Sequence, residues 1–120
     1  MVEIVGMNRE TDPHGKDPHT PGAKLDQGKP NCALVFTGFA EALLEVARVG
    51  TYGASKYTPN GWMEVPNGIE RYSSAAFRHL LARNYTDPES ALPHLAHAAW
   101  NVLAALEIAL RDMSPEDIYP

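Results

Sequence analysis

The sequence predicts an all-α domain, a helical bundle that follows an extended N-terminal arm and is completed by oligomerisation. Three observations lead there. Apolar side chains recur at three- and four-residue steps over three separate segments. Proline and glycine cluster between those segments. The last segment is apolar on nearly every side, and two short neighbours cannot cover such a helix within a chain of 120 residues.

Residues 1–21 read as a flexible arm, because turn formers dominate Asp12-Pro13-His14-Gly15 and the similar Asp17-Pro18-His19-Thr20. Residues 22–120 then form one domain. It opens with Gly22-Ala-Lys-Leu-Asp-Gln-Gly-Lys-Pro30, a loop in which Lys24 and Lys29 could meet phosphate, although a solvated connector is the plainer reading of that segment alone. The first helix is expected over Thr37 to about Tyr57, with Phe39, Leu43, Val46, Gly50 and Ala54 on one stripe and Glu41, Glu45, Arg48, Tyr52 and Lys56 on the other. The Pro59-Asn60-Gly61-Trp62 and Pro66-Asn67-Gly68 turns separate it from a second helix, Ile69 to about Asn84. Asp87-Pro88-Glu89-Ser90 offers a start signal for a third, running through Arg111, and Ser114-Pro115-Glu116 for one more short turn.

Composition narrows the function. The formal charge of −5 and the lack of a Lys/Arg block speak against a nucleic-acid polymer as partner. No apolar run is long enough to span a membrane, and no secretory signal opens the chain, so no membrane partner is expected. Cys32 is the single cysteine, which rules out an intrachain disulfide and a thiolate zinc cage and suits the cytoplasm.

Within the apolar third helix, His94, His97 and Asn101 line one edge. A lone core histidine is usually only hydrogen-bonded, but three polar groups in register shift the balance toward a site. Glu41 and Glu45, one turn apart, could approach a cation together, against the blander reading of a solvated face. Asp87 and Glu89 either join that cluster or serve as helix caps. Arg78, with His79 beside it, suits phosphate oxygens or a surface ion pair. Trp62 and Asn60 suit a base, or Trp62 covers the core. No glycine-rich phosphate loop, nucleophile elbow or adjacent His-Asp pair is present.

Taken in order, Gly22 to Lys29, Thr51-Tyr-Gly-Ala-Ser-Lys-Tyr57 with Asn60 and Trp62, Arg78-His79-Leu80, and Asp87 to Asn101 resemble the phage MazZ-type dATP/dGTP diphosphohydrolases, related to the MazG nucleotide pyrophosphohydrolases. The resemblance spans about Gly22 to Leu110 and implies a MazG-like all-α fold, a homodimer or homotetramer, Mg²⁺ or Mn²⁺, and cleavage of dATP and dGTP between the α and β phosphates. In such phages the activity serves purine nucleotide metabolism in the host cytoplasm. MazG enzymes carry Glu-x-x-Glu on one helix and Glu-x-x-Asp on a later one; here the later helix offers His94, His97 and Asn101 instead. Either imidazoles replace carboxylates as ligands, or the histidines meet phosphate and Asp87 or Glu89 completes the metal shell.

The resulting expectation assigns metal binding to Glu41, Glu45, Glu89, His94, His97 and Asn101, and catalysis to Glu41, Glu45, Lys56 and Arg78. It assigns the purine deoxynucleoside triphosphate to Lys24, Asp26, Lys29, Tyr52, Tyr57, Asn60, Trp62 and His79. Two rivals stand beside it: another metal-dependent nucleotide phosphohydrolase, such as a triphosphohydrolase or a broad house-cleaning enzyme, and a non-catalytic helical oligomer that binds a partner.

Overall fold

The computed structural model describes residues 10–114. Of the turn expected at Ser114-Pro115-Glu116, the residues after Ser114 lie outside the described residues, as do the first nine residues of the arm. Among the described residues the elements are α1 (Ala33–Phe36), α2 (Ala40–Lys56), a 3-10 turn (Gly61–Glu64), α3 (Gly68–Leu81) and α4 (His94–Asp112). There is no strand among them, only an isolated bridge between Thr86 and Pro93. The all-α expectation holds.

The described residues divide into two compact units, one made of those up to Leu34 with those from Met113 on, the other of Val35–Asp112. The expected boundary at residue 21 falls inside the first. In that unit each Asp-Pro-His repeat is an Asx turn: Asp12 Oδ1 accepts from the His14 amide at 2.7 Å, and Asp17 Oδ1 accepts from the His19 amide at 2.9 Å. Asp12 is buried and does more. Its Oδ1 also accepts from the Lys16 amide at 3.3 Å and its Oδ2 from the Lys24 amide at 2.8 Å, which ties the first turn to the glycine-lysine loop. Those amides outweigh burial, and the Asp12 carboxyl lies below its ordinary value.

In the second unit α4 packs chiefly along α3 and less extensively along α2. The close approach depends on small residues: Ala76 of α3 and Ala96, Ala98, Ala104 and Ala105 of α4 are buried, with Val49 from α2. Gly68 begins α3 where a Cβ would stand 2.8 Å from Ile108 Cδ1. Trp62, Tyr72 and Trp100 form an edge-to-face triangle with centroids 5.7–6.5 Å apart, and the Tyr72 hydroxyl donates to the Trp62 carbonyl at 2.9 Å. The 3-10 turn is thereby fixed to both α3 and α4.

One expectation changes. The start signal at Asp87–Ser90 does not open α4, which begins at His94. Ala91 sits at φ 61, and Leu92, preceding Pro93, is biased away from helical backbone. The stretch therefore closes as a loop, with the Asp87 amide donating to Leu92 O and the Ala91 amide to Asp87 O, both at 2.8 Å. The chain's own helices are expected to leave α4 partly uncovered, with partner subunits supplying the rest of its cover. In the single chain its outer stripe stays exposed: Leu95 53%, Val102 52%, Leu103 46% and Leu106 51%.

Candidate functional site

A cleft of about 1130 Å³ opens in the second unit between the C-terminal half of α2, the 3-10 turn, α3, the loop before α4 and α4 itself. It is larger than the ordinary range for small-molecule sites, about 300–1,000 Å³, and so has room for a nucleotide. The sequence-predicted residues Tyr52, Lys56, Tyr57, Asn60, Trp62, Arg78, His79, Glu89, His97 and Asn101 all line it, with Asp87.

Each is placed by local structure. Tyr52 and Lys56 are one turn apart on α2 and so share a face. Asn60 adopts the left-handed conformation, φ 61, which reverses the chain and turns Trp62 toward the helices. The aromatic triangle that fixes Trp62 forms part of the cleft wall.

About one helical turn from Trp100, at His97, stands an imidazole cluster. His79 stacks on His97 with centroids 4.7 Å apart, and its Nδ1 shares a proton with His94 Nδ1 at 2.8 Å. Tyr52 meets His97 edge-on at 6.2 Å. The Ser90 hydroxyl donates to Asp87 Oδ2 at 3.1 Å, so it receives the hydrogen of His97 Nε2 at 2.7 Å; Asp87 Oδ2 is also 3.4 Å from that nitrogen. This pattern leaves Nδ1 as the lone-pair nitrogen of His97. Burial pushes both His79 and His97 below the ordinary imidazole value of 6.5, more than the neighbouring Asp87 pulls them up, so both are neutral at pH 7. Burial alone would raise Asp87. The Glu89 amide, the Ser90 hydroxyl and the facing imidazoles prevail, and its carboxyl is lowered.

Across the mouth, Lys56 Nζ lies 2.5 Å from Glu89 Oε1 and within 5.9 Å and 5.3 Å of the Tyr52 and Tyr57 ring centres. The ion pair raises Lys56 and lowers Glu89, and the hydrogen bond from the Tyr52 hydroxyl to Glu89 raises Tyr52. Arg78 donates to Ser74 Oγ at 3.2 Å. Asn101 donates its amide to His97 O at 2.8 Å, so part of its hydrogen bonding stays within its own helix.

Glu41 and Glu45 do not line this cleft. Glu41 is exposed in the first turn of α2, and Glu45 pairs with Arg48 at 3.1 Å. On a helix rising 1.5 Å per residue, Glu41 stands about 16 Å along the axis from Tyr52, the α2 side chain that touches His97. His94 contributes through His79 and does not line the cleft. Lys24, Asp26 and Lys29 belong to the first unit, where Lys29 pairs with Glu10 at 2.9 Å and lowers that carboxyl.

Among the described residues no group of three or more His, Cys, Asp or Glu side chains converges as a metal site. The imidazole and carboxylate groups that do meet are engaged with one another, so the donor set does not fit a cage built by this chain alone. Sequence reasoning missed Ser90 as the bridge between Asp87 and His97, and it missed Arg71, Tyr72 and Trp100 as cleft walls. For Tyr72 and Trp100 no local signal exists, since aromatic residues at helical spacing read as core. Arg71 carries one: it precedes Arg78 by two helical turns on the same face.

The all-helical unit thus carries a cleft that joins aromatic, cationic and imidazole-carboxylate surfaces. The chain belongs to the family described as dATP/dGTP diphosphohydrolase, N-terminal, whose model matches residues 19–118. Comparison with curated proteins finds no match, and neither does comparison with solved structures. No helix among the described residues is long and apolar enough to cross a membrane.

Proposed function

We propose that this chain hydrolyses dATP and dGTP to the monophosphate and pyrophosphate, with Mg²⁺ or Mn²⁺, in the cytoplasm and as a homodimer or homotetramer. The observation that carries the reading is the cleft itself: within one concavity it offers flat aromatic faces, guanidinium and ammonium groups, and a neutral imidazole beside a carboxylate. The family match supports the substrate class.

The aromatic wall takes the nucleoside. The exposed part of Trp62, with Asn60 and Tyr57, meets the base and sugar, while the triangle with Tyr72 and Trp100 keeps the indole from moving. The triphosphate extends toward Lys56 and Arg78, whose charges offset that of the phosphoryl oxygens. Lys56 then exchanges Glu89 for phosphate, and the freed carboxylate faces the same cleft. The lone-pair nitrogen of neutral His97 is suited to accept the proton of an attacking water, and Asp87 stabilises the imidazolium that results.

A divalent cation bound with the nucleotide would supply charge neutralisation at the triphosphate, and a chain offering one or two carboxylates would suffice for Mg²⁺ held chiefly by phosphate and water. Asp87 and Glu89 are the carboxylates at the cleft. Glu41 and Glu45 serve as ligands only across a subunit contact, because the single chain keeps Glu41 turns away from His97. Lys24, Asp26 and Lys29 are proposed to add to substrate binding from the glycine-lysine loop. The outer stripe of α4 is the proposed subunit contact.

The test is product analysis after incubating the purified protein with each common nucleoside triphosphate and either metal. Pyrophosphate with dAMP and dGMP is expected. Inorganic triphosphate as product would indicate a triphosphohydrolase, and inertness toward every nucleotide would overturn the reading.

A further inference from the structure

Beside its core-facing side, α3 presents to the cleft a line of residues at three- and four-residue steps: Arg71, Ser74, Ala75 and Arg78. The two arginines are two turns apart, so their backbones stand about 10.5 Å from one another along the axis. The residues between them are small and leave the wall open. Both arginines are exposed.

The other cations of this unit that pair do so with carboxylates: Arg48 with Glu45, Lys56 with Glu89 and Arg111 with Glu107. Neither Arg71 nor Arg78 has such a partner among the described residues. Arg71 donates through Nη1 to the Pro66 carbonyl and Arg78 through Nη1 to Ser74 Oγ, each at 3.2 Å. Each bond uses one of five donors, which steadies the guanidinium and leaves most of its fork unused. In an acidic chain, two guanidiniums that meet no carboxylate among the described residues, on one wall of one cleft, mark a place prepared for an anion.

The geometry points to Arg71 and Arg78 as a paired clamp for a polyphosphate chain, gripping it from both ends along α3. The clamp rests on the proposed nucleotide reading and deepens it: Arg71, next to Tyr72 of the aromatic triangle, takes the phosphate nearer the sugar, and Arg78, next to His79, takes the distal ones. A single orthophosphate is too short to engage both.

The experiment is calorimetric titration of the full chain with inorganic tripolyphosphate, with and without Mg²⁺, compared with orthophosphate. Arg71→Ala and Arg78→Ala are each expected to weaken tripolyphosphate binding about tenfold, or about 1.4 kcal/mol. The double variant should fall short of the product of the two losses, since both groups serve one ligand. Arg71→Lys should recover only part of the affinity. Arg83→Ala, which removes the same charge outside the cleft, should match wild type, and thermal melts by circular dichroism confirm that each variant is folded. The clamp is overturned if the wild type fails to bind tripolyphosphate in either condition, or if Arg71→Ala stays within about twofold of wild type. It is equally overturned if Arg83→Ala loses as much. Because binding is read without turnover, inertness toward dATP and dGTP with an intact clamp would sink the reaction and not the clamp.

Discussion

His97 is where burial and chemistry meet. Its imidazole and that of His79 lie below 6.5 chiefly because burial disfavours the charged form. The unfolded chain therefore takes up protons at a higher pH than the folded one, and the contribution of these rings is complete above pH 6.5 and lost as pH falls through the folded values. The thermal midpoint should accordingly drop between about pH 8 and about pH 5, and His79→Gln should flatten that slope. A midpoint independent of pH in the wild type would contradict the burial of the cluster. Ala91 offers a second residue-scale test. At φ 61 an alanine carries a left-handed penalty that glycine avoids, so Ala91→Gly should raise the urea-unfolding free energy by about 1 kcal/mol. Neither feature was legible beforehand: His97 was visible as a polar residue on an apolar helix, but its Ser90 and Asp87 partners, and the backbone angle at Ala91, are products of the loop's closure.

At the scale of elements, the helices were legible because their signal is local. Periodic apolar spacing located α2 and α3 to within a few residues. The start of α4 was not, because Asp87 and Ser90 are good caps in isolation while Pro93 and the Thr86–Pro93 bridge decide otherwise. The α3–α4 seam depends on alanine, and Ala76 is only 2% exposed. Ala76→Leu should overpack it and destabilise the protein by about 1–3 kcal/mol in denaturant titration, with an unchanged m-value. An equal or greater stability would mean that the helices have room to part. At the mouth of the cleft, Glu89→Gln should release Lys56 from its carboxylate and tighten binding of tripolyphosphate, measured by the same titration as above. Weaker binding would mean that Glu89 aids the anion rather than competes with it.

For the whole molecule, the decisive feature is the uncovered stripe of Leu95, Val102 and Leu106 on the side of α4 away from α3. Exposed apolar side chains one and two turns apart are poorly tolerated by a free monomer, and a second copy would offer a matching surface. Paired Val102→Arg and Leu106→Arg changes should convert the proposed dimer or tetramer into a monomer, as read by light scattering. A wild type that is monomeric at every concentration would refute the assembly.

By itself, the sequence determined the all-helical class, the number of long helices and most of the polar residues that now face one cleft. Those follow from periodicity and residue chemistry, which neighbours in the chain are enough to express. Only the tertiary structure decided which polar groups meet. It brought Glu89 to Lys56 and Ser90 to His97, left Arg71 and Arg78 without carboxylate partners among the described residues, and kept Glu41 about three turns away from the imidazoles. A side chain's partners depend on how helices are rotated and staggered against one another, and that is fixed by alanine and glycine contacts at the seam rather than by any pattern within a single helix.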